Sequence, residues 1–451
     1  MSDSSVDIDG EQVRVSFILA KNQDRSLEVP SDPIAVPSST RKKGLSAIIN
    51  HLLDRRVDNK DGSDEDSDSD DEDKEPAIPF DFLVNHKLLR MSVEAMARRE
   101  ALSLEQAIEI EYFPAREAPE GEGESESQPD WISSLASTES FVVSGICDGS
   151  LRLFDQSDAF QQVGYVKAHA GPVQCVSSVE MDCSDKLLIA SGSMDQTLLM
   201  HMVNKKNQIN LHAVCSGGHM SSVSSTKLLS TGSGSASLAS GDWDGGLCVW
   251  NVPTSSNESS ESSSKKRKGV ASQDVQEVTP QFFLKAHASN ISGIVGAYQN
   301  SNVLLTSSWD HSIKSWDLES QNNILTLNGA KVATCIGRCH NSDVVATGHP
   351  DCTVRLWDMR SNTKNEGSLF DGSLRPSHKS WVSAVEWSPN DPFILASTSH
   401  DGTIKVWDIR STVPLHTIKA HAKGSKALCL SFSKNAIYSG GSDCVVKRFR
   451  F

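Results

Sequence analysis

The chain has 451 residues, room for more than one domain, and sets 58 acidic against 43 basic residues for a formal net charge of −15. That balance argues against a generally basic protein that coats nucleic acid, and no apolar run of about 18 residues or leader-like segment points to a membrane. Ten scattered cysteines, several at apolar strand positions such as Cys175, Cys248 and Cys429, suit small buried hydrophobes in a reducing compartment.

Residues 1–115 read as a first unit. Val13-Arg-Val-Ser-Phe-Ile-Leu-Ala20 alternates like a strand, Gly44-Leu-Ser-Ala-Ile-Ile-Asn-His-Leu-Leu53 has helical apolar spacing, and Phe80-Asp-Phe-Leu-Val84 and Ile108-Glu-Ile-Glu-Tyr112 supply further strands. Two strands, a helix and more strands predict an α+β ubiquitin-like β-grasp. Residues 58–75 hold eleven acidic residues and two lysines and interrupt this unit as an acidic insert, expected to be disordered. A surface loop tolerates such an insert because closure entropy grows slowly with length. Ser63, Ser67 and Ser69 stand among its acids, within reach of an acid-directed kinase. Residues 116–130, with six acidic residues and one arginine, read as a second solvated segment, an acidic linker. Outside these two runs the chain is close to neutral.

Residues 131–451 are built on a repeat. An Asp stands six positions before a bulky or ring-bearing residue seven times: Asp148 and Phe154, Asp195 and His201, Asp244 and Trp250, Asp310 and Trp316, Asp351 and Trp357, Asp401 and Trp407, Asp443 and Phe449. Small residues precede each Asp, and an aliphatic residue follows three positions later, so each copy predicts strand, tight turn, strand. Seven copies predict a mainly β chain with a seven-bladed propeller of four-stranded blades. Residues 253–279 lengthen the third copy and, rich in Ser, Lys, Asn and Glu, read as a disordered basic insert. The chain stops on the third strand of the last blade. Closing the ring therefore requires a strand from before Trp131, and none is evident in the sequence.

Upstream of five turns stands a histidine after a small residue: His169, His219, His287, His378 and His421. Each is expected to meet its own turn acid, Asp195, Asp244, Asp310, Asp401 and Asp443 respectively. With Trp-Asp at Trp316-Asp317, Trp357-Asp358 and Trp407-Asp408, the pattern resembles the WD-repeat family, in which His, Asp, a strand Ser or Thr and the Trp form a buried hydrogen-bonded set. A His–Asp pair is also half of a catalytic dyad. Fivefold repetition favours packing over one active site. No phosphate-binding G-x-x-x-x-G-K-S/T, H-E-x-x-H or G-x-S-x-G stands in the chain, so a non-catalytic scaffold without cofactor or small-molecule substrate is expected. Cys335, Cys339 and His340 are spaced without a second cysteine pair, a poor zinc framework.

The stretches Gly44-Leu-Ser-Ala-Ile-Ile-Asn-His-Leu-Leu53 and Pro79-Phe-Asp-Phe-Leu-Val84, with Leu88-Leu-Arg90, resemble the N-terminal domain of the WD-repeat subunits of PeBoW ribosome-assembly complexes, and more loosely that of Notchless. The resemblance implies a large-subunit (pre-60S) assembly role in the nucleus, nucleolus and nucleoplasm, with possible rRNA contact. It also implies three partners: a Bop-type WD-repeat protein, pescadillo, and the AAA+ ATPase midasin. Midasin's metal site takes a carboxylate from its ligand, and Glu105 aligns with the family's metal-contacting Glu. Four adjacent cations, Lys265, Lys266, Arg267 and Lys268, form a candidate nuclear import signal or a rest for rRNA phosphates. An alternative resemblance lies in Trp357-Asp-Met-Arg360 and Trp407-Asp-Ile-Arg410, similar to the motif by which WD-repeat substrate receptors join cullin-RING ubiquitin ligases.

Overall fold

The computed structural model describes residues 12–21, 23–55, 75–104, 106–157, 160–181, 186–231, 235–254, 275–298, 300, 302–360, 374 and 378–451. The acidic insert except Glu75, Ser63, Ser67, Ser69, Glu105 and Lys265–Lys268 lie outside the described residues. The chain divides into two compact units, Met1–Glu117 and Ala118–Phe451.

In the first unit β1 (Gln12–Leu19), β2 (Ile34–Pro37), β3 (Phe80–Val84), β4 (Lys87–Leu88) and β5 (Ile108–Pro114) form one sheet in the order β2-β1-β5-β3-β4. The central β1–β5 pair is parallel and the others antiparallel, a β-grasp arrangement. Alternation in β1 puts Val13, Val15 and Phe17 on the buried face. Helix α1 (Lys42–Leu52) covers that face with Leu45 and Ile49, while a short α2 (Val93–Arg99), capped by Ser92, adds Val93, Met96 and Ala97. The Tyr112 hydroxyl donates to the Leu27 carbonyl at 2.7 Å and accepts the Val29 amide at 3.0 Å, which ties the β1–β2 connection to the core.

The second unit contains seven sheets. Their inner strands are Ile132–Ser137, Val173–Met181, Val223–Thr231, Ile291–Gly296, Cys335–Arg338, Val382–Trp387 and Ala427–Phe432; each touches the next, and the last touches the first. That ring is a seven-bladed propeller around a central channel. Hydroxyls staple neighbouring inner strands: Ser133, Ser224, Ser292, Thr334 and Ser383 each donate to a carbonyl of the following blade, Val173, Ile291, Ala333, Val382 and Ala427, at 2.6 to 2.8 Å. The small residues before each turn have a packing reason. A Cβ at Gly192 would stand 2.5 Å from Val223 of the next blade, and one at Gly440 would stand 2.5 Å from Ile132, across the joint between last and first blades.

Two expectations are corrected. The stretch read as an acidic linker contains β6 (Glu120–Glu124), which pairs antiparallel with Val446–Arg450 and completes blade seven. Its Glu-Gly alternation lacks β-branched and aromatic residues, so no strand signal marks it. Basic partners hold it instead: Lys447 stands 3.4 Å from Glu124 and Arg448 2.9 Å from Glu122. In the insert read as disordered over 253–279, Gln276–Val278 forms a strand parallel to Ile209–Cys215, making blade two five-stranded. Among the described residues blade five has three strands, with Leu374 adding a single bridge to Val354; the stretch around Leu374 where its fourth strand is expected lies otherwise outside the described residues.

Candidate functional site

The repeated polar set assembles from three places in each blade. In blade four, Trp316 Nε1–H donates to Thr306 Oγ1 at 2.9 Å, Thr306 Oγ1 meets His287 Nε2 at 2.8 Å, and His287 Nδ1 meets Asp310 at 2.9 Å. The chain closes with the imidazole neutral: Nε2 accepts from the hydroxyl and Nδ1–H donates to the carboxylate. Blade six repeats it with Trp407, Ser397, His378 and Asp401, and blade seven keeps His421, Ser439 and Asp443, with Phe449 in place of the Trp. In blade two His169 bonds Ser191 at 2.9 Å and Thr197 at 2.7 Å, with Asp195 3.4 Å away. His201 fills the Trp position there. It is buried with Nδ1 unpartnered among the described residues, and burial, then the nearby His169, pushes its pKa down to about 4.

Two blades depart from the expected pairing. His219 meets Asp242 at 2.9 Å, and not Asp244. In five other blades the residue two after the turn Asp is Ser or Thr, whose hydroxyl clamps that acid, as Thr403 clamps Asp401 at 2.6 Å; blade seven has Val445 there, and Asp443 still meets His421. In blade three the position is Gly246. What sets this blade apart is a second acid two residues before the turn: Asp242 takes the amides of Asp244 and Gly246 together with His219. Blade five has no upstream histidine and draws on His349, two residues before Asp351. His349 Nε2 meets Thr347 at 2.8 Å, which also accepts Trp357 Nε1–H, and Nδ1 donates to the Val332 carbonyl. Asp351 pairs with Arg355 at 2.6 Å instead. A His between Gly348 and Pro350, where blades two, four and six carry Ser, was the available sequence signal.

These sets are buried and carry no access for a substrate; the surfaces open to partners lie elsewhere. In six blades the tight turn donates a backbone N–H to the residue preceding its own inner strand: Cys147 to Trp131, Met194 to Pro172, Trp243 to Ser222, Trp309 to Asn290, His400 to Trp381 and Ser442 to Lys426. The side chains at these positions therefore share one rim of the channel. Trp131, Trp243, Trp309 and Trp381 are 38% to 50% exposed there, and Met194 stands among them. Trp243 and Trp309, on neighbouring blades, have ring centroids 5.7 Å apart, and Trp381 stacks on His400 at 6.1 Å. Large rings left in water as a cluster mark a protein-docking surface. The repeat reading passed over them, although Trp directly before a turn Asp in Asp242-Trp243-Asp244 and Ser308-Trp309-Asp310 was visible.

Position 105 falls between α2 and β5. The residues leading to it are pinned: Leu102 N–H donates to the Ala97 carbonyl at 2.8 Å, and Leu102 and Leu104 pack on the domain core. Glu109 and Glu111 alternate outward from β5 between buried Ile108, Ile110 and Tyr112, and Asp81 is buried against Lys42 at 2.6 Å. The two arginines of the ligase-like motif serve their own blades. Arg410 pairs with Asp408 at 2.6 Å and lies over Phe393, while Arg360 pairs with Asp343 at 2.7 Å. Among the described residues no group of three or more His, Cys, Asp or Glu side chains is placed to hold a metal, and no helix is long and apolar enough to cross a membrane.

Comparison with known proteins agrees with this architecture. Residues 13–97 match the NLE (NUC135) domain family, and residues 160–201, 278–317, 321–358, 372–408 and 412–449 match the WD domain, G-beta repeat. Over nearly the whole chain the protein is similar to ribosome biogenesis protein WDR12 homologues. The Arabidopsis thaliana protein is 30% identical over 450 residues, 97% of each chain. The Chlamydomonas reinhardtii protein is 32% identical over 466 residues, again 97% of each, and the Nematostella vectensis protein 31% over 444 residues, 96% of this chain and 98% of the other.

Proposed function

Because the chain belongs to the WDR12 family of ribosome biogenesis proteins, we propose that it acts in ribosome biogenesis as a non-catalytic scaffold for large-subunit assembly and rRNA maturation. The observation that carries this reading is the union of an NLE domain with a propeller whose exposed feature is an aromatic rim. A scaffold needs separate surfaces for separate partners, and the two units offer surfaces of different chemistry. The rim of Trp131, Trp243, Trp309 and Trp381 is assigned to the Bop-type propeller, with pescadillo joining through that partner. The first unit is assigned to midasin, with Glu105 completing the oxygen shell of a Mg²⁺ that midasin holds. The leucines that fasten Leu102–Leu104 to the core support this, since a trans-acting ligand must project from a fixed base. Lys265–Lys268 serve nuclear import, which sets the protein to work in the nucleolus and nucleoplasm.

Affinity purification of tagged full-length variants, read by mass spectrometry, tests the division. Glu105→Ala is expected to lose midasin while retaining the Bop-type protein and pescadillo. A Trp243→Ala, Trp309→Ala variant is expected to show the reverse, and neutralising Lys265–Lys268 should hold the protein in the cytoplasm. Midasin retained by folded Glu105→Ala removes that residue from the mechanism. Loss of all partners in both variants ends the proposed separation of surfaces.

A further inference from the structure

The propeller channel has two chemically different ends. One is the aromatic rim. The other is set by the strand register: Ala136, Ser177, Lys227, Val295, Gly337, Glu386 and Ser431 occupy equivalent places on the seven inner strands, each opposite the corresponding residue of the second strand. Only Lys227 and Glu386 carry charge at this level. They sit on blades three and six of seven, across the channel from one another. One residue further along blade five stands Arg338, whose guanidinium donates to the Ala297 carbonyl at 2.9 Å, and His340 is exposed beyond it.

The two charges are not equally satisfied. Glu386 accepts the Phe432 amide at 2.7 Å and the Ser431 hydroxyl. Lys227 has protein on every side yet is accessible to channel water, and among the described residues its ammonium makes no hydrogen bond or ion pair. Desolvation lowers its pKa, as expected of a cation short of partners, with Glu386 opposing and Arg338 adding to the effect. An ammonium carries three donors, and a site that leaves all of them without a protein acceptor is arranged for an acceptor from outside.

We propose that this end of the channel binds a small phosphate compound, with Lys227 as the central cation and Arg338 and His340 at the mouth. A phosphate group offers several charged acceptor oxygens to the three ammonium donors, and charge-assisted bonds of this kind are the strong ones. The single opposing carboxylate accommodates it: burial, the largest influence on Glu386, pushes its pKa up to about 7, so an arriving anion shifts it readily to the neutral form. Such a ligand would bind at the face away from the aromatic rim, leaving both occupiable at once.

The test uses the full-length protein and isothermal titration with inorganic phosphate and with pyrophosphate at low ionic strength. Wild type is expected to bind pyrophosphate more tightly than phosphate. Lys227→Met is expected to raise Kd at least tenfold, Lys227→Arg to keep it within about threefold of wild type, and Glu386→Gln to lower it. A variant with Lys265–Lys268 neutralised should bind as wild type does, which separates the channel from the basic insert. A melting temperature close to wild type certifies that Lys227→Met is folded. No binding at millimolar pyrophosphate, or binding unchanged in Lys227→Met, overturns the proposal. So does a preference for 5′-phosphorylated RNA that Lys227→Met leaves intact.

Discussion

In blade three an acid stands two residues before the turn Asp, where blades two, four and six carry Ser, and His219 pairs with it and not with Asp244. Burial disfavours the charge of Asp242, but His219 and the amides of Gly246 and Asp244 outweigh it and hold its pKa below the usual range. Asp242→Ala strands a buried imidazole and is expected to cost about 2–3 kcal/mol in chemical denaturation, whereas Asp244→Ala should stay within about 0.5 kcal/mol. The reverse order would refute the assignment. Spacing alone names Asp244, because spacing registers the turn; it does not register that blade three carries a second carboxylate, Asp242, within reach of the histidine. The other four upstream histidines stand beside the turn acids that spacing names, and His349 was not foreseen because it stands at the turn of its own blade and not upstream of it.

Residue chemistry also sets a pH window. Burial lowers the pKa of His169, His287 and His378, and pushes His201 and His349 down to about 4. The folded state therefore resists protons that the unfolded chain accepts. The stability contributed is fully present above about pH 6.5 and is lost as pH falls through the folded values. For His201 and His349 the loss reaches on the order of 3 kcal/mol each in the acid limit. Asp310, whose burial is outweighed by Ser312, His287 and Ala288, is held at about 2 and withdraws its contribution only at still lower pH. Glu386 runs the other way: its contribution is present below its unfolded value and lost as pH rises through about 7. Denaturant melts are expected to weaken steeply from pH 6.5 toward 4, with a shallower slope in His349→Gln. An equal slope in that variant would exclude His349 as a source.

At the scale of elements, the strands of the repeat were legible because each carries a period of two and a turn acid. β6 carries neither. Glu120–Glu124 is exposed along its length, so burial supplies little, and its ion pairs with Lys447 and Arg448 are worth roughly 0–1 kcal/mol each. Its place is fixed mainly by backbone pairing and by the segment that follows. The Ser125 amide donates to the Val446 carbonyl at 2.8 Å, the Ser125 hydroxyl accepts the Val446 amide at 3.0 Å, and the Gln128 amide donates to Cys444 at 2.7 Å. A fragment of residues 131–451 lacks all of this, while one of residues 118–451 keeps it. The shorter fragment is expected to melt about 5–10 °C lower, corresponding to roughly 3 kcal/mol. Equal melting temperatures would mean that β6 contributes nothing to closure.

For the whole molecule, the sequence was sufficient for two units and seven blades, since each unit buries its own core and each blade announces itself by its Asp. The surfaces were less legible. Lys227 and Glu386 are 159 positions apart in the chain, and only ring closure sets them facing across one channel. The tryptophans of the rim likewise come from different blades: the place of Trp243 and Trp309 directly before a turn Asp marks them off from core rings, but only ring closure gathers them on one rim. The joint that closes this ring also orders its manufacture. β6 leaves the ribosome among the earliest parts of the propeller, and its partner Val446–Arg450 follows the strands of all seven blades that precede it in the chain. The Ser125–Val446 bond spans 321 positions, roughly 15–65 s of elongation at ordinary rates. Throughout that time the β-grasp unit can already be complete, while the acidic strand waits unpaired. A transcript broken before codon 446 yields an open ring, with blade seven lacking both its own third strand and the place where β6 would dock.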